Sequence, residues 1–185
     1  MRKLVLLGLA LAACSDSTGP NTPVMTALVD GMPFAATSIR PGRYVAGFDT
    51  LNTTMFIGGA TFSKTAAANI ILVLPRFRGA GEYTMCDAPD SASGTYWVTD
   101  VADTTTDTPL GLMYDTRSGC GLGEVDVTSY DVMHGQIDGT FHFTAVTTLV
   151  ADPVDTVKVT NGTFDGRISI LSPPPYPFPL PTQHD

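Results

Sequence analysis

The stretch from Gln136 to Ala145 alternates without a break. Ile137, Gly139, Phe141, Phe143 and Ala145 fall on one side, and Gln136, Asp138, Thr140, His142 and Thr144 fall on the other. A period of two held this long marks an antiparallel strand with one face in a core and one in water. A helix would need its apolar residues three and four apart. A lone strand buries nothing, so its neighbours must supply the rest of the core. The preceding segment qualifies: Glu124 to Tyr130 sets Val125 and Val127 against Glu124, Asp126 and Thr128. Downstream, Val157 and Val159 share a face within Thr156 to Thr160. Past Asn161-Gly162 the phase shifts, and Phe164, Ile168 and Ile170 come into step. Asn-Gly can turn a hairpin or make a bulge; the phase shift is read here as a bulge.

The first half of the chain is punctuated by turn chemistry. Strands are expected at Met25 to Val29, Arg43 to Phe48, Thr54 to Phe62, Glu82 to Met85, Tyr96 to Thr99 and Leu110 to Asp115. Asp30-Gly31-Met32-Pro33 is a turn leading into Phe34-Ala35-Ala36, and Asp49 to Asn52 is a hairpin turn. Gly58-Gly59 marks a bulge or a close backbone approach. Ser63 to Asn69 has helix-forming composition but is too short to hold a helix, so a loop or one helical turn is expected. Ile70 to Leu74 is a continuous apolar run, read as a strand buried on both faces and ended by Pro75. Of the acids only Glu82 and Glu124 are glutamates, and the remaining aspartates favour turns over helices. The expected fold is all-β, an antiparallel two-sheet β-sandwich of about nine or ten strands, with an open β-barrel as the alternative.

The N-terminus carries an address. Arg2 and Lys3 precede an apolar run closing on Leu11-Ala12-Ala13-Cys14. Charged start, short apolar core and small residues before a cut describe a secretory signal, far below the roughly 20 residues that span a bilayer. A cysteine straight after the cut resembles the lipobox of bacterial lipoproteins, where the thiol takes a diacylglyceryl group. The domains then read as signal peptide 1–13, lipidated Cys14 and polar tether 14–23, β domain 24–171 and proline-rich tail 172–185. The resemblance implies a bacterial cell-envelope lipoprotein on a membrane through Cys14. Ser15 after the cysteine is permissive for the outer membrane. Losing Arg2 and Lys3 takes the formal net charge from −8 to −10, which leaves no electrostatic footprint for nucleic acid. With Cys14 lipidated, Cys86 and Cys120 remain as an even pair in an exported chain and read as a disulfide.

Further residues carry a family resemblance. They are Met25-Thr26-Ala27, Val29-Asp30-Gly31 and Phe34-Ala35-Ala36, then Gly81-Glu82-Tyr83 and Gly123 to Thr128, then Gly139 to Ala145 and Val159 to Phe164. From Met25 to about Ile170 the chain resembles a family of uncharacterised bacterial lipoproteins known only as a domain of unknown function. That resemblance implies an all-β domain behind a lipid anchor and supplies no catalytic residues.

Sites of chemistry are sparse. The sequence has no Gly-x-Ser-x-Gly, no phosphate-binding Gly-Lys-Ser/Thr, no His-Glu-x-x-His and no calcium-loop spacing. No cofactor and no resident metal are expected. His142 beside Asp138 and Gln136 reads as a solvated sheet face, and Asp100, Asp103, Asp107 and Asp115 read as turn chemistry. The aromatic set Tyr83, Tyr96, Trp97 and Tyr114 is the candidate ligand-binding group, since aromatics on a sheet stack on sugars or apolar ligands. The function expected is a ligand- or partner-binding envelope module. A hydrolase acting on an envelope polymer and a purely structural component are the alternatives.

Overall fold

The computed structural model describes residues 22–37, 44–63, 66–85, 90–100, 111–116, 123–148 and 155–171. The lipobox with Cys14, the tether, Cys86, Cys120, Asp103, Asp107 and the proline-rich tail lie outside the described residues. What is described is all-β. The strands are β1 (Met25–Val29), β2 (Met32–Ala36), β3 (Tyr44–Asp49), β4 (Thr54–Phe62), β5 (Ala66–Leu74) and β6 (Gly81–Met85). They continue with β7 (Ser93–Asp100), β8 (Gly111–Asp115), β9 (Gly123–Asp131), β10 (Gln136–Thr147) and β11 (Thr156–Leu171).

The two longest strands, β10 and β11, pair antiparallel from Gln136↔Arg167 to Val146↔Thr156 and form a central ribbon. Each carries two strands in succession along its outer edge. Beside β11 lie β1, along Val159 to Phe164, and then β3, along Arg167 to Leu171. Beside β10 lie β9, along Gln136 to Phe143, and then β8, at Val146 and Thr147. β3, β4, β5, β7 and β8 follow one another as antiparallel neighbours. The pairings therefore close a ring through β11, β3, β4, β5, β7, β8 and β10, with β1–β2 and β9–β6 as two flaps. β11–β3 is parallel, so the sheet is mixed where a wholly antiparallel one was expected. The reason is non-local: β11 outruns β1, and β3 arrives from across the molecule to pair its end.

Three phenylalanines organise the core, and each sits on a glycine. Gly139 faces Phe164 across the ribbon, Thr140 faces Thr163, and Phe141 faces Gly162. The tripeptide Gly-Thr-Phe in β10 thus lies antiparallel against Gly-Thr-Phe in β11. A Cβ on Gly139 would fall 2.5 Å from Phe164 Cζ, and one on Gly162 2.6 Å from the Phe141 ring. Phe143 fills the same space over Gly123 of β9 and reaches Gly94 of β7, which joins the ribbon to the far strands. The rings stack at centroid distances of 6.3 and 6.4 Å. An aromatic over a cross-strand glycine supplies the packing that the glycine lacks.

Asn161-Gly162 is a bulge inside one strand. Thr160 and Asn161 of β11 oppose the single residue His142 of β10, and Asn161 and Gly162 oppose the single residue Ala27 of β1. Asn161 takes a left-handed φ of 51°, which asparagine tolerates. The extra residue moves the buried phase from Val157 and Val159 to Gly162 and Phe164, so both halves of a 16-residue strand face the core. The Asp30-Gly31 turn has both residues at positive φ, 48° and 81°, and Val29 pairs with Met32, the two-residue hairpin whose twist matches its strands. At Gly58-Gly59 the β4–β5 register is unbroken. Gly59 instead admits Ala36 and Met25, whose Cβ atoms would lie 2.7 and 3.0 Å from an added Cβ, so close approach is the reason for that pair.

Two expectations are corrected. Ala66 to Asn69 begin β5 and pair with both β4 and β7. Cross-strand pairing overrides alanine's helix propensity where no helix can reach a stable length. Ile70 to Leu74 is not buried on both faces: Ile70, Leu72 and Leu74 are inaccessible, whereas Ile71 is 40% exposed.

Gly139→Ala is expected to destabilise the domain by about 1–3 kcal/mol or more, because the methyl meets both Phe164 and a β9 carbonyl that cannot retreat. Asn161→Gly should be nearly neutral. Denaturant titration of both variants measures the contrast.

Candidate functional site

The four aromatics do not converge. Consecutive strand residues point to opposite faces, so Tyr96 and Trp97 of β7 are separated by the sheet itself. Tyr83 lies elsewhere again. Its hydroxyl donates to the Gly79 carbonyl at 2.7 Å and accepts the Arg78 amide at 3.0 Å. Its ring stacks on Phe77 at 5.6 Å, and Phe77 meets Tyr130 edge-on at 5.0 Å. Both polar and apolar parts of Tyr83 are thus committed to holding the 75–83 connection. The groove beside it carries Arg76, Arg78, Glu82 and Asp90, with Arg76 and Asp90 paired at 2.8 Å.

Tyr96 and Tyr114 do meet. They are cross-strand partners on β7 and β8, with centroids 6.1 Å apart. They line a cleft of about 340 Å³ between the β1–β2 turn and strands β4, β5, β7 and β8. Val29, Phe34, Ala68, Val98 and Val157 make its walls apolar, and Asp30 stands among the lining residues. Asp30 is anchored to β11: its amide donates to the Lys158 carbonyl at 2.9 Å, and its Oδ1 accepts the Lys158 amide at 2.8 Å.

Tyr114 is buried, and its hydroxyl donates to Asp155 Oδ2 at 2.7 Å. Asp155 Oδ1 accepts the Thr156 amide and its carbonyl accepts the Thr147 amide, both at 2.9 Å. One phenol therefore ties β8 to the start of β11. Burial first, then the bond to Asp155 and the charges of Asp155 and Asp30, push the Tyr114 hydroxyl up to about 12. Burial, then the charge of Asp30, raises Tyr96 as well. A concave apolar cleft with a few convergent polar groups of shifted pKa is the physical profile of a ligand site.

The other polar candidates are built for structure. Asp138 accepts the Thr128 hydroxyl at 2.6 Å, and His142, further along the same face of β10, is exposed. Asp131 caps the β9–β10 turn through the backbone and ring of His134, and those bonds hold its carboxyl below the usual range. Asp49 does the same for Asn52 and Leu51 and is also lowered. Thr95 donates to Asp115 at 3.3 Å. Among the described residues, no three His, Cys, Asp or Glu side chains gather to hold a metal ion. Sequence reasoning missed the site role of Asp30, which reads as a turn residue, and of Asp155, whose partner Tyr114 is 41 residues away.

A family model described as a domain of unknown function, DUF6252, matches residues 21–166, which is most of the chain and nearly all of the β domain. No curated protein and no solved structure matches.

Tyr114 supplies a test of the cleft. Below the ordinary phenol value of 10, both folded and unfolded chains keep its proton. Between 10 and about 12 the unfolded chain releases a proton that the folded chain retains, so stability falls with rising pH across that window. Tyr114→Phe is expected to remove this part of the fall and to delete one late-titrating phenol from the ultraviolet titration. An unchanged titration would disconnect Tyr114 from Asp155.

Proposed function

We propose that this chain, which belongs to that family, is a bacterial cell-envelope lipoprotein, anchored to the outer membrane through lipid on Cys14, whose β domain binds a small apolar ligand. The observation that carries the binding half is the Tyr96–Tyr114 cleft. Its walls suit an apolar body, and the Tyr114 hydroxyl and Asp30 carboxylate suit one polar end. An acidic domain, −10 without its leader, favours neutral or cationic ligands over anionic ones. The sequence carries the anchoring half: a short leader, a cysteine at the cut and a polar tether. Several acyl chains on one cysteine hold firmly, since each buried methylene adds about 0.8 kcal/mol.

A hydrolase would need a carboxylic acid kept protonated near neutrality. Among the described residues, the carboxyls with clear shifts, Asp49 and Asp131, are exposed and moved the other way. Binding is therefore preferred over polymer cleavage.

Cys86 and Cys120 form a disulfide in this reading, and the β6–β9 register supports it. Met85 is the Cα partner of Gly123. One cysteine follows Met85 directly in sequence and the other precedes Gly123 by three residues. The closed loop of about 35 residues adds on the order of 3–4 kcal/mol by chain entropy.

The neutral dye N-phenyl-1-naphthylamine probes the cleft in purified Cys14→Ser protein. Saturable binding is expected, with loss in Val98→Phe, which fills the cleft, and retention in Trp97→Ala on the other face. Binding untouched by Val98→Phe would sink the cleft reading. In cells, Cys14→Ser should move the chain from the membrane to the soluble fraction. Thiol labelling of the unreduced protein should leave Cys86 and Cys120 unmodified.

A further inference from the structure

The face of the sheet opposite the tyrosine cleft is apolar, and no described residue covers it. Phe56 and Phe62 of β4, Ile71 of β5, Trp97 of β7 and Met113 of β8 share this face by register, at exposures from 38% for Phe56 to 69% for Phe62. Along β4 and β5 they flank a lane of small residues, Gly58, Ala60 and Ala67. The lane ends in a cleft of about 280 Å³ with Phe62 and Trp97 as walls and Ala60, Ala67 and Asn69 as floor. Trp97 leans away from the lane, its Nε1 in the space a Cβ on Gly111 would take, and this leaves the floor open. In that floor Asn69 Oδ1 is buried without a hydrogen-bond partner. Such an acceptor costs free energy until something donates to it.

The chain itself holds a matching occupant. β11 ends at Leu171, level with Asp49 and, through it, with Thr54 at the start of β4. The lane therefore begins where the last 14 residues, SPPPYPFPLPTQHD, leave the sheet. From Leu171 to the cleft is about 20 Å along β4 and about 12 Å across the strands, roughly 23 Å in all. Polyproline advances about 3.1 Å per residue, so about eight residues cover it and bring Phe178 to Leu180 level with Trp97. Aromatic walls over a shallow floor are how polyproline segments are held. In the run Tyr-Pro-Phe-Pro-Leu-Pro every second residue keeps its N–H, which gives Asn69 a donor that consecutive prolines would not. Apolar side chains on the segment match a lane that offers no charge.

We propose that the C-terminal segment Ser172 to Asp185 folds back in cis along the β4–β5 lane and seats Phe178–Leu180 on the Trp97–Phe62 cleft, covering this face. This inference is independent of the tyrosine cleft and of its ligand.

Trp97 is the only tryptophan, so its emission reports on this cleft alone. Soluble Cys14→Ser protein ending at Asp185 is compared with the same protein ending at Leu171. Removing the segment is expected to shift the emission to longer wavelength and raise the acrylamide quenching constant severalfold. The synthetic peptide Ser172–Asp185 should reverse both. Full-length Phe178→Ser/Leu180→Ser should behave like the shortened chain, which guards against misfolding on truncation. Equal emission and quenching in all three proteins, with matching far-ultraviolet circular dichroism, would overturn the proposal. Protection that disappears on dilution would overturn it too, because the cover would then be a second copy.

Discussion

The seating of three phenylalanines on glycines is the contact from which the rest of the fold follows. Phe164 over Gly139, Phe141 over Gly162 and Phe143 over Gly123 lock the register of β10 against both neighbours at once. A slip of one residue would turn the core face of the strand outward, and a slip of two would set Phe141 against Phe164. With that register fixed, β11 carries β1 and then β3 on one edge, and β10 carries β9 and then β8 on the other. Phe143 extends the lock to Gly94 of β7, so the ribbon and the far strands share one core.

The bulge at Asn161 answers a problem of length. A strand of 16 residues twists out of phase with a curved core, and one extra residue restores the phase where the ribbon bends. The same bulge lets β11 feed β3 in parallel at its far end. The strands form one mixed sheet whose pairings close a ring around one core, with hydrogen bonds at β11–β3 and β8–β10 completing it. The tyrosine cleft opens between the β1–β2 turn and the ring, and the Tyr114–Asp155 bond fixes one side of it.

Much of this was legible in residues. The alternation of Gln136 to Ala145 and of Glu124 to Tyr130, the turn at Asp30-Gly31, the strand Thr54 to Phe62 and the phase shift at Asn161 all follow from period and turn chemistry. The candidate site was less legible. Grouping Tyr83, Tyr96, Trp97 and Tyr114 as one set ignored the pleat, which alone separates Tyr96 from Trp97. Tyr83 was lost for another reason: its hydroxyl is spent on backbone four and five residues away, a local duty that aromatic identity does not announce. Asp155 could not be read because its partner is 41 residues distant.

The sequence by itself determined which side of each strand is apolar, where the chain turns and how the charge is balanced, because each depends on neighbours within a few positions. Only the tertiary structure decided that β11 pairs β3 in parallel, that Ala66 to Asn69 extend a strand, that two tyrosines share a cleft while tryptophan faces away, and that an apolar lane begins where the proline-rich segment leaves the sheet. Those outcomes depend on strand order and register. Both are set by packing between residues far apart in the chain, and no local pattern encodes it.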